Sequence, residues 1–244
     1  MMRQTILVGL IVICAALWGC TRKNTSAVGP TPTAFGTALV ESSGGKQIGG
    51  VGTTLPQPVV VQVNDDQGNG VAGAPVEFTG PRGVSFDPAS GVTDSSGQFT
   101  TNVMLGSMAG RYQLGASTHT KAQKSVDLKL EEIALGDQER LGAHLDETYC
   151  NRCHNPESTP ERVSNYDNLE VKPHSFTEGD TLNKMSDADL TAIISHGGPA
   201  LNKSPLMPPY GYTLKKMEIQ ALLAYIRMVS DPPYRPAGTY YVQK

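Results

Sequence analysis

The chain has 244 residues, enough for one large domain or two ordinary ones, and its 39% hydrophobic and 18% charged residues do not mark disorder. A formal net charge of −3 and a pI near 5.9 argue against a nucleic-acid binder, which usually carries a basic field. Four cysteines (Cys14, Cys20, Cys150, Cys153) are too few to staple a scaffold of this size, and five scattered histidines exclude a multi-haem chain or a zinc-cluster protein.

Arg3 precedes an apolar run from Ile6 to Trp18. The run is too short to span about 30 Å of hydrocarbon as a helix. A basic start, a short apolar core and a small-residue end read as an export signal. Leu17, Gly19 and Cys20 resemble the bacterial lipoprotein signal, with Trp18 where a small residue is usual. The resemblance implies a signal peptide over 1–19, lipidation of Cys20 and loss of Cys14 with the signal. An uncleaved anchor, or a plain signal cut nearby, is the alternative. Either way the remainder works outside the cytoplasm. It is expected on the outer membrane, periplasmic or surface-facing, or on the periplasmic side of the inner membrane. Thr21 after the cysteine, by resemblance to the lipoprotein sorting pattern, favours the outer membrane. Residues 20–35 are polar, carry Pro30 and Pro32 and lack periodicity, so they read as a tether.

Residues 36–131 consist of short alternating runs between turn signals. Val59, Val61 and Val63 alternate before the turn cluster Asn64–Gly70. Val76 with Phe78, Phe99 with Thr101 and Val103, Tyr112 with Leu114 and Ala116, and Val126 with Leu128 and Leu130 repeat the pattern. Period two at such spacing predicts a β-sandwich. The runs VQVNDDQGNGVAGAPVEFTG, GVTDSSGQFTTNV and AGRYQLGAS resemble the bacterial immunoglobulin-like repeat of invasin-type proteins. Gly70 stands where that repeat often has proline. The domain reads as a rigid spacer or as an adhesion and docking module, and fold analogy alone does not choose. His119, at a strand end, reads as a surface residue.

Residues 132–230 contain the motif that decides function, Cys150-Asn151-Arg152-Cys153-His154. C-x-x-C-H is the attachment pattern of c-type haem. Two intervening residues put both sulfurs on one face of a helical turn, and the next residue presents an imidazole to the iron. A thioredoxin-type C-x-x-C would follow a strand in a βαβ unit, and a zinc site would need two more thiol or imidazole ligands. The flanks here are helical, and for zinc only His144, His174 and His196 could contribute, with no further cysteine. An electron carrier needs a second axial ligand, and Met207 in the proline-rich Ser204–Pro209 loop offers one. His174 and His196 are rivals for that place. His144 and His196 read best as surface or helix-end residues. Met104, Met108, Met185, Met217 and Met228 read as packing.

Ser186 caps a predicted helix over 187–194 that stops at Gly197-Gly198. Thr213 is a cap for a last helix with Ile219, Leu222, Leu223 and Ile226 on one face. Residues 155–185 form a long polar stretch, in which Pro156 and Pro160 are candidates to position the proximal imidazole.

The order C-x-x-C-H, MSDADLTAIISHGG, KSPLMPPYGYTL and EIQALLAYIR resembles a class I monohaem cytochrome c domain. The family implies thioethers at Cys150 and Cys153, His154 as proximal and Met207 as distal ligand, and an N-terminal helix crossing the C-terminal one. Gly142 and Leu145 match that first helix. Asp146 stands where the family usually has an aromatic, and Tyr149 is a candidate substitute. Residues 131–200 carry 5 basic and 14 acidic side chains, and residues 201–244 carry 6 and 2, an asymmetry able to steer a redox partner.

The expected fold is therefore multidomain, an all-β immunoglobulin-like sandwich followed by an all-α cytochrome c domain and a tail over 231–244. The expected protein is a lipid-anchored carrier of single electrons with one covalent haem c. It stands free or within a membrane redox complex, its partners being a redox protein or that complex and the membrane, with no nucleic acid. It is not expected to be an enzyme, since a six-coordinate iron has no vacant site. The alternatives are a haem peroxidase or gas sensor with a displaceable Met207, and an adhesion lipoprotein in which the sandwich is the working part.

Overall fold

The computed structural model describes residues 31–155 and 165–234. The expected signal over 1–19, the Cys20 lipidation site, most of the tether, Pro156, Pro160 and residues 235–244 of the tail lie outside the described residues.

Among the described residues, nine strands form two sheets. β1 (Ala38–Ser43), β3 (Val59–Asn64), β7 (Gln98–Met104) and β5 (Ser85–Asp87) make one, in the order β1-β3-β7-β5. β2 (Ile48–Gly50), β9 (Ser125–Leu135), β8 (Gly110–His119), β4 (Pro75–Thr79) and β6 (Ser90–Val92) make the other, in the order β2-β9-β8-β4-β6. The alternation predicted from sequence is the alternation observed. Val59, Val61 and Val63 are fully buried between the sheets, with Phe78, Val103, Tyr112 and Leu114 against them. The turns are built locally. Asp65 Oδ1 accepts the Gln67 and Asn69 N–H groups, and Asp94 Oδ1 accepts those of Ser96 and Gln98. Gly70 has a steric cause, because a Cβ there would lie 2.0 Å from the Ser96 carbonyl oxygen.

Strand β9 runs past residue 131, where sequence places the end of the sandwich, to Leu135. The paired charges Glu131-Glu132 suggest a strand end, yet Glu132 is fully buried. Its Oε2 accepts the Gln47 N–H at 2.6 Å, which holds parallel β2 beside β9. Burial pushes the Glu132 carboxyl up to about 8, so it is mostly protonated at neutral pH.

After β9 the chain turns helical through one residue, Gly136. The helices are α1 (Asp137–Leu145), the single-turn α2 (Asn151–His154), α3 (Gly179–Leu182), α4 (Asp187–His196) and α5 (Lys216–Val229). α1 passes into a π turn over Asp146–Cys150. The region is not purely α-helical, since Glu178 and Asp231 form an isolated parallel bridge. Ser186 caps α4 as expected, its Oγ accepting the Asp189 N–H at 3.0 Å. The last helix departs from expectation. Thr213 lies in a turn closed by Leu214 N–H on the Tyr210 carbonyl, and α5 begins at Lys216. There the Glu218 carboxylate accepts the Lys215 N–H at 2.7 Å. The apolar face of α5 packs Ile219, Leu222 and Ile226 against Leu145, Leu190 and Ile194. Each such buried side chain contributes about 1.5–3 kcal/mol. α1 crosses α5 at Gly142, where a Cβ would lie 2.1 Å from the Ala221 carbonyl oxygen and 2.6 Å from Tyr225 Cβ. The aromatic at this crossing is thus Tyr225 of α5. Tyr149 instead stacks edge-on against Tyr210.

The two regions share an interface. On β8, Tyr112 faces the sandwich core, while its neighbour Arg111 is buried on the outer face of the sheet. Ile133, opposite Arg111 in register, shares that face. The Arg111 guanidinium pairs with Glu131 and donates to the Met228 and Ser230 carbonyls at the end of α5. It caps a helix of the other region. Among the described residues no helix is long and apolar enough to cross a membrane.

Candidate haem site

The π turn after α1 buries Cys150, and α2 then presents Cys153 and His154 one turn on. All three side chains line one cavity of about 490 Å³, a size typical of small-molecule and cofactor sites. Leu182, Leu190, Ile194 and Leu222 make its walls apolar.

The His154 ring is fixed from behind. Its Nδ1 lies 2.7 Å from the His174 carbonyl oxygen. A carbonyl can only accept, so Nδ1 carries the proton and Nε2 keeps its lone pair. The ring also packs on Phe176, centroids 4.9 Å apart. Burial lowers its pKa below the usual histidine value, which favours the neutral form that binds metals. Burial, followed by the charges of Asp146 and Cys153, pushes the Cys150 thiol up to about 12. Such a thiol is a poor nucleophile at neutral pH.

Met207 lines the same cavity, from a loop fastened to the end of α4. The Gly198 N–H donates to the Met207 carbonyl at 3.0 Å, Tyr210 N–H to Ile194 and Gly211 N–H to Ser195. This explains the glycine pair better than helix termination alone. Gly197 has φ +80°, and a Cβ on Gly198 would sit 1.9 Å from the Ser204 carbonyl oxygen. The Tyr210 hydroxyl donates to the Tyr149 carbonyl at 2.9 Å, tying the methionine loop to the residue before Cys150.

The structure separates the rival ligands. His196 is exposed at the end of α4 and is not on the cavity wall. His174 reaches the cavity, but its carbonyl engages His154 and its Nδ1 lies 2.7 Å from Glu178 Oε2. Met217, Met104 and Met108 are exposed, and the Met228 carbonyl serves Arg111. Met185 does line the cavity, beyond the packing role read from sequence. Sequence reasoning named His174 only as a rival ligand and missed the role of its carbonyl, as it missed Glu178, Phe176 and Tyr210. The long polar stretch marked the region of His174, Phe176 and Glu178. Among the described residues no three His, Cys, Asp or Glu side chains group to hold a metal ion by themselves.

Comparison with known proteins matches this division. Residues 56–130 match the family model of the bacterial Ig-like domain (group 1), and residues 137–226 match that of the cytochrome c oxidase cbb3-type subunit III. The chain carries a bacterial immunoglobulin-like domain followed by a cytochrome c domain of cbb3 type. Among solved structures it is similar to the D00-D0 domain of intimin, at 17% identity over 42% of this chain and 49% of that one, TM-score 0.31. The adhesin InvE of Yersinia pseudotuberculosis is 13% identical over 42% of this chain and 33% of that one, TM-score 0.31. The integrin-binding protein invasin is 17% identical over 40% and 19%, TM-score 0.30. The chain thus spans less than half of each of these. No curated protein matches it.

A cytochrome c domain implies a haem, and the residues present fit one. The cavity is apolar, two cysteines and a neutral imidazole with a free Nε2 meet at one wall, and a thioether is available from a separate loop.

Proposed function

We propose that the protein is a lipid-anchored c-type cytochrome that carries single electrons through one covalent haem. Cys150 and Cys153 would hold the macrocycle, and His154 Nε2 and Met207 Sδ would bind its iron. The haem supplies the one-electron redox chemistry when bound. The chain's own residues orient and shield it. The His174 carbonyl holds the His154 ring and raises its basicity, Tyr210 and Gly198 set the Met207 loop, and the leucine-rich walls exclude water. The observation that carries the reading is the convergence of Cys150, Cys153, His154 and Met207 on one apolar cavity. With both His154 and Met207 on the iron no site would be left open for substrate, which favours a carrier, alone or within a membrane redox complex. Lipid on Cys20 places it at a membrane surface outside the cytoplasm.

The test is spectroscopic. The purified oxidised protein should show the far-red methionine-to-iron absorbance, and Met207→Ala should abolish it and lower the reduction potential. A spectrum and potential unchanged by Met207→Ala would make Met207 a packing residue. Rapid binding of carbon monoxide to the unaltered reduced protein would instead favour a sensor or peroxidase.

A further inference from the structure

A continuous set of contacts joins the immunoglobulin-like domain to the group that orients His154. Arg111, on β8, is buried and donates to the Ser230 and Met228 carbonyls. The next residue, Asp231, begins a short strap that crosses the haem-side loop. Asp231 N–H donates to the Thr177 carbonyl at 2.8 Å, and Gly179 N–H donates to the Asp231 carbonyl at 3.0 Å. Asn183 Nδ2 donates to the Pro232 carbonyl at 2.8 Å, and Lys46, on the sandwich, pairs with the Asp231 carboxylate at 2.9 Å. Between the two strap bonds lies Glu178. Its carboxylate holds the His174 ring at 2.7 Å and the Ser175 N–H at 3.2 Å, and the His174 carbonyl accepts from His154.

We infer that Arg111 is a positioning residue for the haem: the immunoglobulin-like domain, through Arg111 and the 230–232 strap, fixes the loop whose carbonyl orients the proximal histidine. The inference rests on the haem reading above and deepens it. The sandwich is then part of the proximal support. The steric fit at the strap is close. A Cβ on Gly179 would lie 2.1 Å from the Pro232 carbonyl oxygen, so no side chain is accommodated between strap and loop.

The test compares Arg111→Ala and Gly179→Ala with the unaltered, haem-loaded full chain. Removing a charged donor from two buried carbonyls frees the strap, so the Gly179 and Asp231 amides should exchange with solvent roughly tenfold faster or more. Amides of β3 and β7 should keep their protection. The midpoint potential should rise, because an imidazole that donates a looser hydrogen bond is a poorer electron donor to iron. The double variant should shift the potential no further than one single change, since both act through one strap. An Arg111→Ala protein that melts earlier but keeps the original strap exchange and potential would overturn the inference, leaving Arg111 a structural residue. If Arg111→Ala does not accumulate, Gly179→Ala decides alone, and an unchanged potential overturns the inference. Absence of haem from the unaltered protein would strike the functional reading instead, since the exchange measurement stands without it.

Discussion

Single residues divide by whether their chemistry lies in the side chain or in the backbone. Cys150, Cys153, His154 and Met207 were legible in the sequence because thiol, imidazole and thioether are rare groups at telling spacings. The acceptor behind His154 was not, because any residue has a carbonyl, and only the fold brings that of His174 to 2.7 Å. Glu132 escaped notice for the opposite reason. Its charge looks like a strand end, while its burial as a mostly protonated acid is a tertiary effect. The linkage has a definite sign. A carboxyl near 4.5 when unfolded and near 8 when folded binds more protons in the folded state between those values. Stability from this group is therefore greatest at low pH and falls as pH rises from about 4.5 to about 8, by a few kcal/mol. Glu132→Gln keeps an acceptor for the Gln47 N–H and cannot ionise. Its melting temperature should exceed that of the parent at pH 8–9 and converge with it near pH 5. Parallel melting curves across that range would show that the Glu132 carboxyl binds its proton equally in the folded and unfolded states, and so is ionised in the folded protein at neutral pH.

Elements were read well where periodicity and caps agree and poorly where a turn competes. α4 begins at Ser186 and ends at Gly197, as its capping pattern predicts. Thr213, an equally good cap by composition, is taken by the turn that buries Leu214. The methionine loop shows why the glycine pair after α4 matters. Gly198→Ala should drive a methyl group into the Ser204 carbonyl and displace the loop that carries Met207. We expect loss of most of the far-red absorbance at low temperature, together with a stability cost of about 1–3 kcal/mol. Full absorbance in that variant would mean that the loop accommodates the methyl group and still presents Met207. The α1–α5 crossing makes the same kind of statement. Gly142 was read as part of a helix, but its role is to let two backbones approach, which no propensity encodes.

At the scale of the whole molecule, the two-part organisation was visible as a change from period two to helical spacing, and the junction was not. Ile133-Ala134-Leu135 is a continuous apolar run, and both faces of the sheet are covered there. That run was the available signal that β9 continues under the helices. Arg111 gave none, since an arginine in an alternating strand ordinarily faces water. The proposed attachment through Cys20 is tested on the intact chain. Cys20→Ser should move the protein from the membrane fraction to the soluble periplasmic fraction with its haem spectrum intact. Retention in washed membranes would point to an uncleaved anchor or to a membrane partner.

The passage from β9 to α1 through Gly136 alone has a consequence for how the haem meets other molecules. There is no slack between sandwich and cytochrome, and Arg111 pins the joint. If Cys20 carries lipid as proposed, the leash between it and Thr33, whose N–H donates to the Gly73 carbonyl at 2.9 Å, reaches at most about 45 Å fully drawn out. A haem in the proposed site would then keep a fixed place relative to the sandwich, and only the leash would set its distance from the membrane. Lengthening the leash would widen its territory, whereas lengthening the joint would spoil its aim.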